Sequence, residues 1–254
     1  MSRIEPRFSL RLASCEDDLL RAQRLRYEVF VAELGGDGPM VDHSQRRETD
    51  AFDPFYDHLL LCDDARPEEE RVIGAYRLLR SDSAAAVGGF YGAAEYDLAP
   101  LMRSGRKLLE LGRSCLHPDY RGGSAMHHLW SGLADYVRRH EIEVLFGVAS
   151  FHGTRIAALA QPLSFLHHRY LAPEEIRPVS RRFEPMDLVA DDAIDRLAAI
   201  RGIPSLIKAY LRLGGHVGHG AYLDTAFNTT DVCLVLDTAR MNPKLATLYG
   251  RGVV

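Results

Sequence analysis

A chain of 254 residues, 46% hydrophobic and 26% charged, carries enough apolar material for one substantial core, at a length where α/β chains fold as one domain. Its net charge of -4 excludes a global field that would draw it to nucleic acid or to an anionic membrane, so any basic docking surface is local. Four scattered cysteines, Cys15, Cys62, Cys115 and Cys233, form no C-x-x-C pair, and with no secretory leader or long apolar run they predict a cytoplasmic protein.

The alternation of Phe8 to Leu12 predicts a strand. A helix is expected from Glu16 to about Leu34, ended by Gly35, Gly36 and Gly38. After a polar loop with Asp50 and Asp53, His58–Cys62 and Arg71–Leu79 read as a hairpin separated by Asp63–Glu70. Small residues from Ser83 to Gly89 predict a loop, and Phe90–Leu101 carries no clear period. Leu108–Leu116 reads as a buried strand, and Gly122–His140 as a helix with an apolar stripe of Met126, Leu129, Trp130, Leu133 and Val137. Val144–Ser150 is a continuous apolar strand suited to a parallel pair. Helical material around Thr154–Leu166, a connector to Pro185, a helix from Pro204 to Leu213 and strands at Val217–Leu223 and Val232–Leu236 complete the chain. This order predicts a mixed sheet with one parallel crossover in an α/β layer sandwich.

Several motifs resemble autoinducer synthases and their GNAT-fold relatives: Leu25-Arg26-Tyr27-Glu28-Val29-Phe30-Val31, Asp50-x-x-Asp53, Val72 to Leu79, and Glu110-Leu111-Gly112-Arg113. Over nearly the whole chain the wording is more similar to the ornithine acyl-ACP N-acyltransferases of bacterial ornithine-lipid synthesis. The similarity runs through Asp53-Pro54-x-x-Asp57-His58, Glu95-Tyr96-Asp97-Leu98, His117-Pro118-Asp119-Tyr120-Arg121, Pro162 to His168, Leu206 to Gly214 and Thr229-Thr230-Asp231-Val232. The resemblance implies a GNAT-like, mostly antiparallel central sheet flanked by helices and splayed between its two parallel central strands. It implies one domain over residues 1–254, with residues 8–150 as the donor-binding core and 151–254 completing the sheet and the acceptor and acyl site.

The implied activity moves a fatty acyl group, with or without a 3-hydroxyl, from acyl carrier protein to the α-amine of ornithine, with the acyl-phosphopantetheine as donor, no tightly bound cofactor, and contact with the inner membrane without crossing it. Amide formation needs an uncharged amine, hence a base. Glu110, alone in an apolar strand where desolvation favours proton uptake, is the candidate base, with Arg113 beside it; the structural alternative is a buried ion pair of Glu110 with Arg113 or another arginine. The two are three apart and would face opposite sides of a regular strand, so a bulge at Gly112 is expected, against the alternative that Gly112 serves close helix packing. The GNAT resemblance implies that the backbone donors of Gly112 and Ser114 then hold the pantetheine arm and polarise the thioester oxygen.

The usual GNAT phosphate loop is degenerate here, Arg121-Gly122-Gly123-Ser124-Ala125-Met126. That suits the single phosphodiester of a carrier protein better than the pyrophosphate of coenzyme A, though the glycines alone also suit a plain helix cap. Arg26 and Arg77 are candidates for the acceptor carboxylate, and Asp50, Asp53, Asp57 and Glu95 for its side-chain ammonium; mutual pairing of these groups is the competing expectation. Local basic clusters, Arg103 with Arg106 and Lys107, Arg138 with Arg139, and Lys208 with Arg212, are candidate docking points, although each taken alone reads first as a solvated face. Eleven histidines show no zinc spacing, so no metal is expected, and Cys115 reads as a core cysteine. Competing activities are an acyl-homoserine-lactone synthase, disfavoured by the absence of a tryptophan after Phe30, a coenzyme A dependent acetyltransferase, and a noncatalytic acyl-carrier or lipid-binding module.

Overall fold

The structure, a computed structural model, describes residues 5–241. In chain order it runs β1 (Phe8–Leu12), α1 (Glu16–Arg26) continuing into a π-helical turn (Tyr27–Glu33), β2 (Val41–Asp42), β3 (Arg47–Glu48), β4 (Asp57–Asp63), β5 (Val72–Arg80) and α2 (Ser81–Ala86). A 3-10 turn (Tyr91–Ala94), β6 (Tyr96–Asp97) and α3 (Ala99–Arg103) lead to β7 (Leu108–Leu116), α4 (Ala125–Arg139) and β8 (Val144–His152). Then come α5 (Ala160–Tyr170), β9 (Val179–Ser180), α6 (Arg196–Gly202), α7 (Ser205–Arg212), β10 (His216–Val217), β11 (Tyr222–Asp224) and β12 (Thr229–Asp237). The central sheet is mixed and mostly antiparallel, with β7 and β8 as its parallel pair, and helices flank it, which is the expected α/β class.

The described chain forms two compact units, residues 5–88 with 111–141, and residues 89–110 with 142–241. The first unit carries the strand order β1-β4-β5-β7. Alternation along β4 divides its side chains between two helices. Leu60 and Cys62 join Ala22 and Leu25 of α1 and Val29 of the π-helical turn, while Leu59 lies under Gly132 of α4, where an added Cβ would meet Leu10 and Leu59 at 3.2–3.3 Å. The small residue lets α4 come close to the sheet.

The second unit is organised on the long antiparallel ladder of β12 with β8, from Thr229↔His152 to Asp237↔Val144, with β10 and β11 also on β12. β7 contributes Leu108–Glu110 to this unit, paired with Val144–Phe146 of β8, and passes into the first unit at Leu111.

Four local expectations are corrected. The predicted loop after Arg80 begins with α2, because three consecutive alanines favour helix until Gly88 and Gly89, both at positive φ, end it. Helix α4 starts at Ala125 instead of Gly122, whose φ of +76° is not helical. The segment Val217–Leu223 is two short strands separated by a turn at Gly220. Helix α6 was not anticipated, because its apolar residues point to both faces.

Leu60 is fully buried in the α1 cluster, so Leu60→Ala is expected to cost about 2–5 kcal/mol in urea-induced unfolding by opening a cavity.

Candidate active site

Strand β7 holds a lone acid among Leu108, Leu109 and Leu111, and Glu110 is buried there. Its carboxylate accepts hydrogen bonds from the backbone N–H of Tyr91 to Oε2 (2.9 Å) and of Gly92 to Oε1 (2.6 Å). These are donors at the start of the 3-10 turn, where backbone N–H groups lack intrahelical partners and favour a negative charge. The turn is held in place by Phe90, which packs edge-on against Phe146 (4.9 Å), the β8 residue paired with Glu110. Gly92 must be small, because a Cβ there would lie 2.8 Å from Glu110 Oε1.

Beyond Glu110 the strand changes character. Gly112, Arg113 and Ser114 are half-buried within an otherwise buried run. The irregularity falls one residue later than expected: Arg113, not Gly112, takes the left-handed conformation, with φ of +50°. For a residue with a Cβ this costs about 1–2 kcal/mol. Gly112 instead faces the Arg77 guanidinium, 3.7 Å from where its Cβ would stand.

The reason Arg113 is held so lies in a buried network of the first unit. Arg26, the last residue of α1, pairs through Nε with Glu48 and through Nη1 with Asp53 Oδ1 (2.6 Å). Arg77 Nη1 bridges Asp53 Oδ1 (2.8 Å) and Asp50 Oδ2 (2.6 Å), and its guanidinium lies over the Tyr56 ring at 4.3 Å. Arg113 Nε donates to the second oxygen of Glu48 (3.0 Å). Gln23 Nε2 donates to Asp53 Oδ2 (3.0 Å), and His58 Nε2 sits 2.9 Å from the Asp53 carbonyl, its pKa lowered chiefly by burial. Three guanidinium groups thus face the three carboxylates Glu48, Asp50 and Asp53. Arg26 and Arg77 are 0% and 1% exposed, whereas the Arg113 side chain keeps 16%.

Arg26, Asp50, Asp53 and Arg77, expected at an acceptor site, therefore pair with one another. Asp57 pairs with Arg80 (2.6 Å) and accepts from the Tyr136 hydroxyl (2.5 Å). Arg121 engages both oxygens of Glu33 (2.5 and 2.7 Å), and its guanidinium holds the Glu33 carboxyl below the usual range. Gly122 and Gly123 are exposed just before α4. Glu95 lies in the second unit beside Asp224 and Asp231, with carboxylate oxygens of all three within 4.8 Å of one another. Burial pushes the Cys233 thiol up, with Glu110 and Glu95 adding to the effect, so both carboxylates bear on the same residue. Cys115 sits in the core, and burial pushes its thiol up to about 12, which leaves it protonated and unreactive at neutral pH.

Sequence reasoning passed over Glu48, Asp224 and the donors of Tyr91 and Gly92. Glu48 sits in the polar run Arg46 to Asp50 and looks solvated, although it is fully buried. A backbone donor leaves no residue signature; the glycine at 92 is the only trace.

Burial works to raise the proton affinity of Asp53, but Arg26 and Arg77 together outweigh it and hold its carboxyl well below the ordinary 3.8. Below that pH the unfolded chain binds the proton more readily than the folded one. The stabilisation is therefore complete above about pH 4 and lost as the pH falls further. Asp53→Asn should cost about 3–5 kcal/mol at neutral pH by leaving two arginines short of an anion. It should also flatten the acid limb of the stability curve, and an acid limb as steep as that of the wild type would remove Asp53 from this account.

Residues 25–131 match the acetyltransferase (GNAT) domain family. An L-ornithine N(alpha)-acyltransferase of Rhodobacter capsulatus is 62% identical over 248 residues, covering 97% of this chain and 96% of its own. One of Brucella abortus is 42% identical over 247 residues, covering 95% and 88%. Among solved structures, FeeM, an N-acyl amino acid synthase from uncultured soil microbes, shares the fold with a TM-score of 0.54 at 14% identity, over 92% of this chain and 93% of that one. With such identity along almost the full length of both relatives, the chain belongs to the L-ornithine N(alpha)-acyltransferase family.

Proposed function

We propose that the protein transfers a fatty acyl group from acyl carrier protein to the α-amine of ornithine, with Glu110 as the base. The observation that carries this reading is the grip of the Tyr91 and Gly92 backbone donors on a buried carboxylate inside β7. Two N–H groups stabilise the charged form that burial alone would disfavour, and a fixed, water-poor carboxylate is suited to accept a proton from an ammonium. In the reaction the α-ammonium gives one proton to Glu110 and its nitrogen adds to the thioester carbonyl carbon. The tetrahedral adduct then collapses, the C–S bond breaks, and the pantetheine thiolate leaves with the second nitrogen proton as a thiol.

The half-buried stretch Gly112–Ser114 supplies backbone donors for the developing oxyanion, and the Arg113 guanidinium supplies a fixed positive charge. Arg26, Arg77, Asp50 and Asp53 act through Arg113 by holding it. Gly122 and Gly123, ahead of α4, take the donor phosphodiester. Engagement of Arg121 by Glu33 leaves that guanidinium committed, which fits one phosphate group better than two. The relatives' names specify ornithine, whose side chain ends in a second ammonium, and Glu95 with Asp224 and Asp231 offers three carboxylates to receive it.

Glu110→Gln places an amide NH2 against a backbone N–H, so besides a 10²–10⁴-fold fall in turnover, roughly the range for a lost general base, it should cost about 1–3 kcal/mol in stability. Gly92→Ala keeps the acid but pushes it from its seat. Turnover in both variants should fall far more than donor affinity, and raising the pH, which delivers the α-amine already uncharged, should restore part of the rate of Glu110→Gln. Undiminished turnover in Glu110→Gln would remove Glu110 from the mechanism.

An acceptor panel tests the carboxylate trio. Norvaline, which lacks the side-chain amine, should be acylated about tenfold or more slowly than ornithine, and Glu95→Gln with Asp224→Asn should narrow that gap. Acyl-ACP and acyl-CoA run side by side in the same assay decide the donor, with the carrier-protein form expected to win.

A further inference from the structure

Among the described residues no helix is long and apolar enough to cross a membrane. One short helix nevertheless presents an apolar surface. The two faces of α6 differ: Ala199 and Ile203, four residues apart, are buried, whereas Leu197 and Ile200 stand 67% and 36% exposed. Helical spacing puts Arg196 four residues before Ile200 and Arg201 four after Leu197, so the outward face carries two apolar side chains flanked by two guanidinium groups. The Asp195 carboxylate is engaged at the helix start, where it accepts from the N–H of Leu197 (2.9 Å) and Ala198 (3.0 Å).

Neighbouring elements extend this face. Lys208 Nζ donates to the Ile200 carbonyl (3.3 Å), which places an ammonium beside it, and Arg212 follows one turn along α7. From Asp195 to Arg212 the basic side chains are Arg196, Arg201, Lys208 and Arg212, against Asp195, while Asp187, Asp191 and Asp192 flank the Leu188 side, Asp191 being paired with Arg169 (2.7 Å). The exposed Leu188 is anchored to the same helix as α6. Ser164 Oγ of α5 accepts from Leu188 N–H (2.9 Å), Gln161 Oε1 accepts from Asp195 N–H (2.8 Å), and Pro162 packs where a Cβ on Gly202 would be 3.2 Å away. Leu188, Leu197 and Ile200, with Arg196 and Arg201, thus ride on α5, and Lys208 and Arg212 lie on the neighbouring α7.

We propose that this face of α6, with Leu188, docks on an anionic phospholipid bilayer. A leucine exposed over two thirds of its surface on a two-turn helix protrudes, a form that enters a soft phase between headgroups. The guanidinium groups on either side reach lipid phosphates while their stems stay apolar. The face rests on the function proposed above only in that an amino acid carrying a fatty chain is an amphiphile, and a bilayer is where such a product leaves water.

The test is co-sedimentation of the full chain with vesicles of phosphatidylethanolamine and phosphatidylglycerol, compared with phosphatidylcholine alone. Binding should require phosphatidylglycerol and weaken with salt. It should fall about tenfold in each of two surface variants, Leu197→Ser with Ile200→Ser, and Arg196→Gln with Arg201→Gln, at unchanged melting temperature. A wild-type chain that stays in the supernatant, or variants that sediment like it, would overturn the proposal. So would variants that keep vesicle binding but lose affinity for acyl carrier protein, since that outcome assigns the face to a protein partner. Sedimentation involves no turnover, so loss of acylation with intact vesicle binding counts against the Glu110 chemistry alone.

Discussion

Two buried guanidinium groups and a third at the edge meet three carboxylates inside the first unit, and the local structure around them follows from keeping each charge answered. Removing an ion from water is expensive, and only close, multiple pairing offsets it. Asp53 shows the balance: burial opposes its charge, while two arginines and the Gln23 amide restore it. Any one of these groups left alone would be untenable, so α1, the β2–β3 hairpin, the loop before β4, and β5 are tied to one another through side chains as well as through the backbone.

This constraint reaches β7 through Arg113. Its left-handed backbone is unfavourable for an arginine, and the bond to Glu48 is what maintains it. Three residues earlier the same strand presents Glu110 to backbone donors. An acid fixed by peptide N–H groups and a cation fixed by buried carboxylates are thus both set before any substrate arrives. In the function proposed above, fixed dipoles and charges of this kind would need no reorganisation during reaction.

Much of the fold was legible because the periodicities were clear. Two-residue alternation marked β1, and of the stripe that marked α4, Leu129, Trp130 and Leu133 are buried while Met126 and Val137 are half-buried. Glu110 stood out as the one acid in an apolar run. What stayed hidden has a physical cause in each instance. The donors of Tyr91 and Gly92 belong to the backbone of a stretch with no period, so residue types carry no sign of them. Glu48 sits between polar neighbours and differs from them only through tertiary contacts. The sequence offered Gly112 as the place for an irregular backbone, but a distant ion pair settled the matter in favour of Arg113. The sorting of Arg26, Asp50, Asp53 and Arg77 into mutual pairs could not be separated from ligand binding by residue type alone, because both uses demand the same charges.

The π-helical turn that extends α1 amounts to one extra residue in a helix. It lies between Arg26, inside the charge network, and Glu33, which meets Arg121 beyond the end of β7. Loss of a single residue in this turn would rewind it to ordinary helical pitch and swing everything after it by about 100°. Both anchors could not then be met at once, so a stretch that looks like a surface-helix continuation has its length set to the residue, and insertions or deletions there should be far rarer in the family than substitutions.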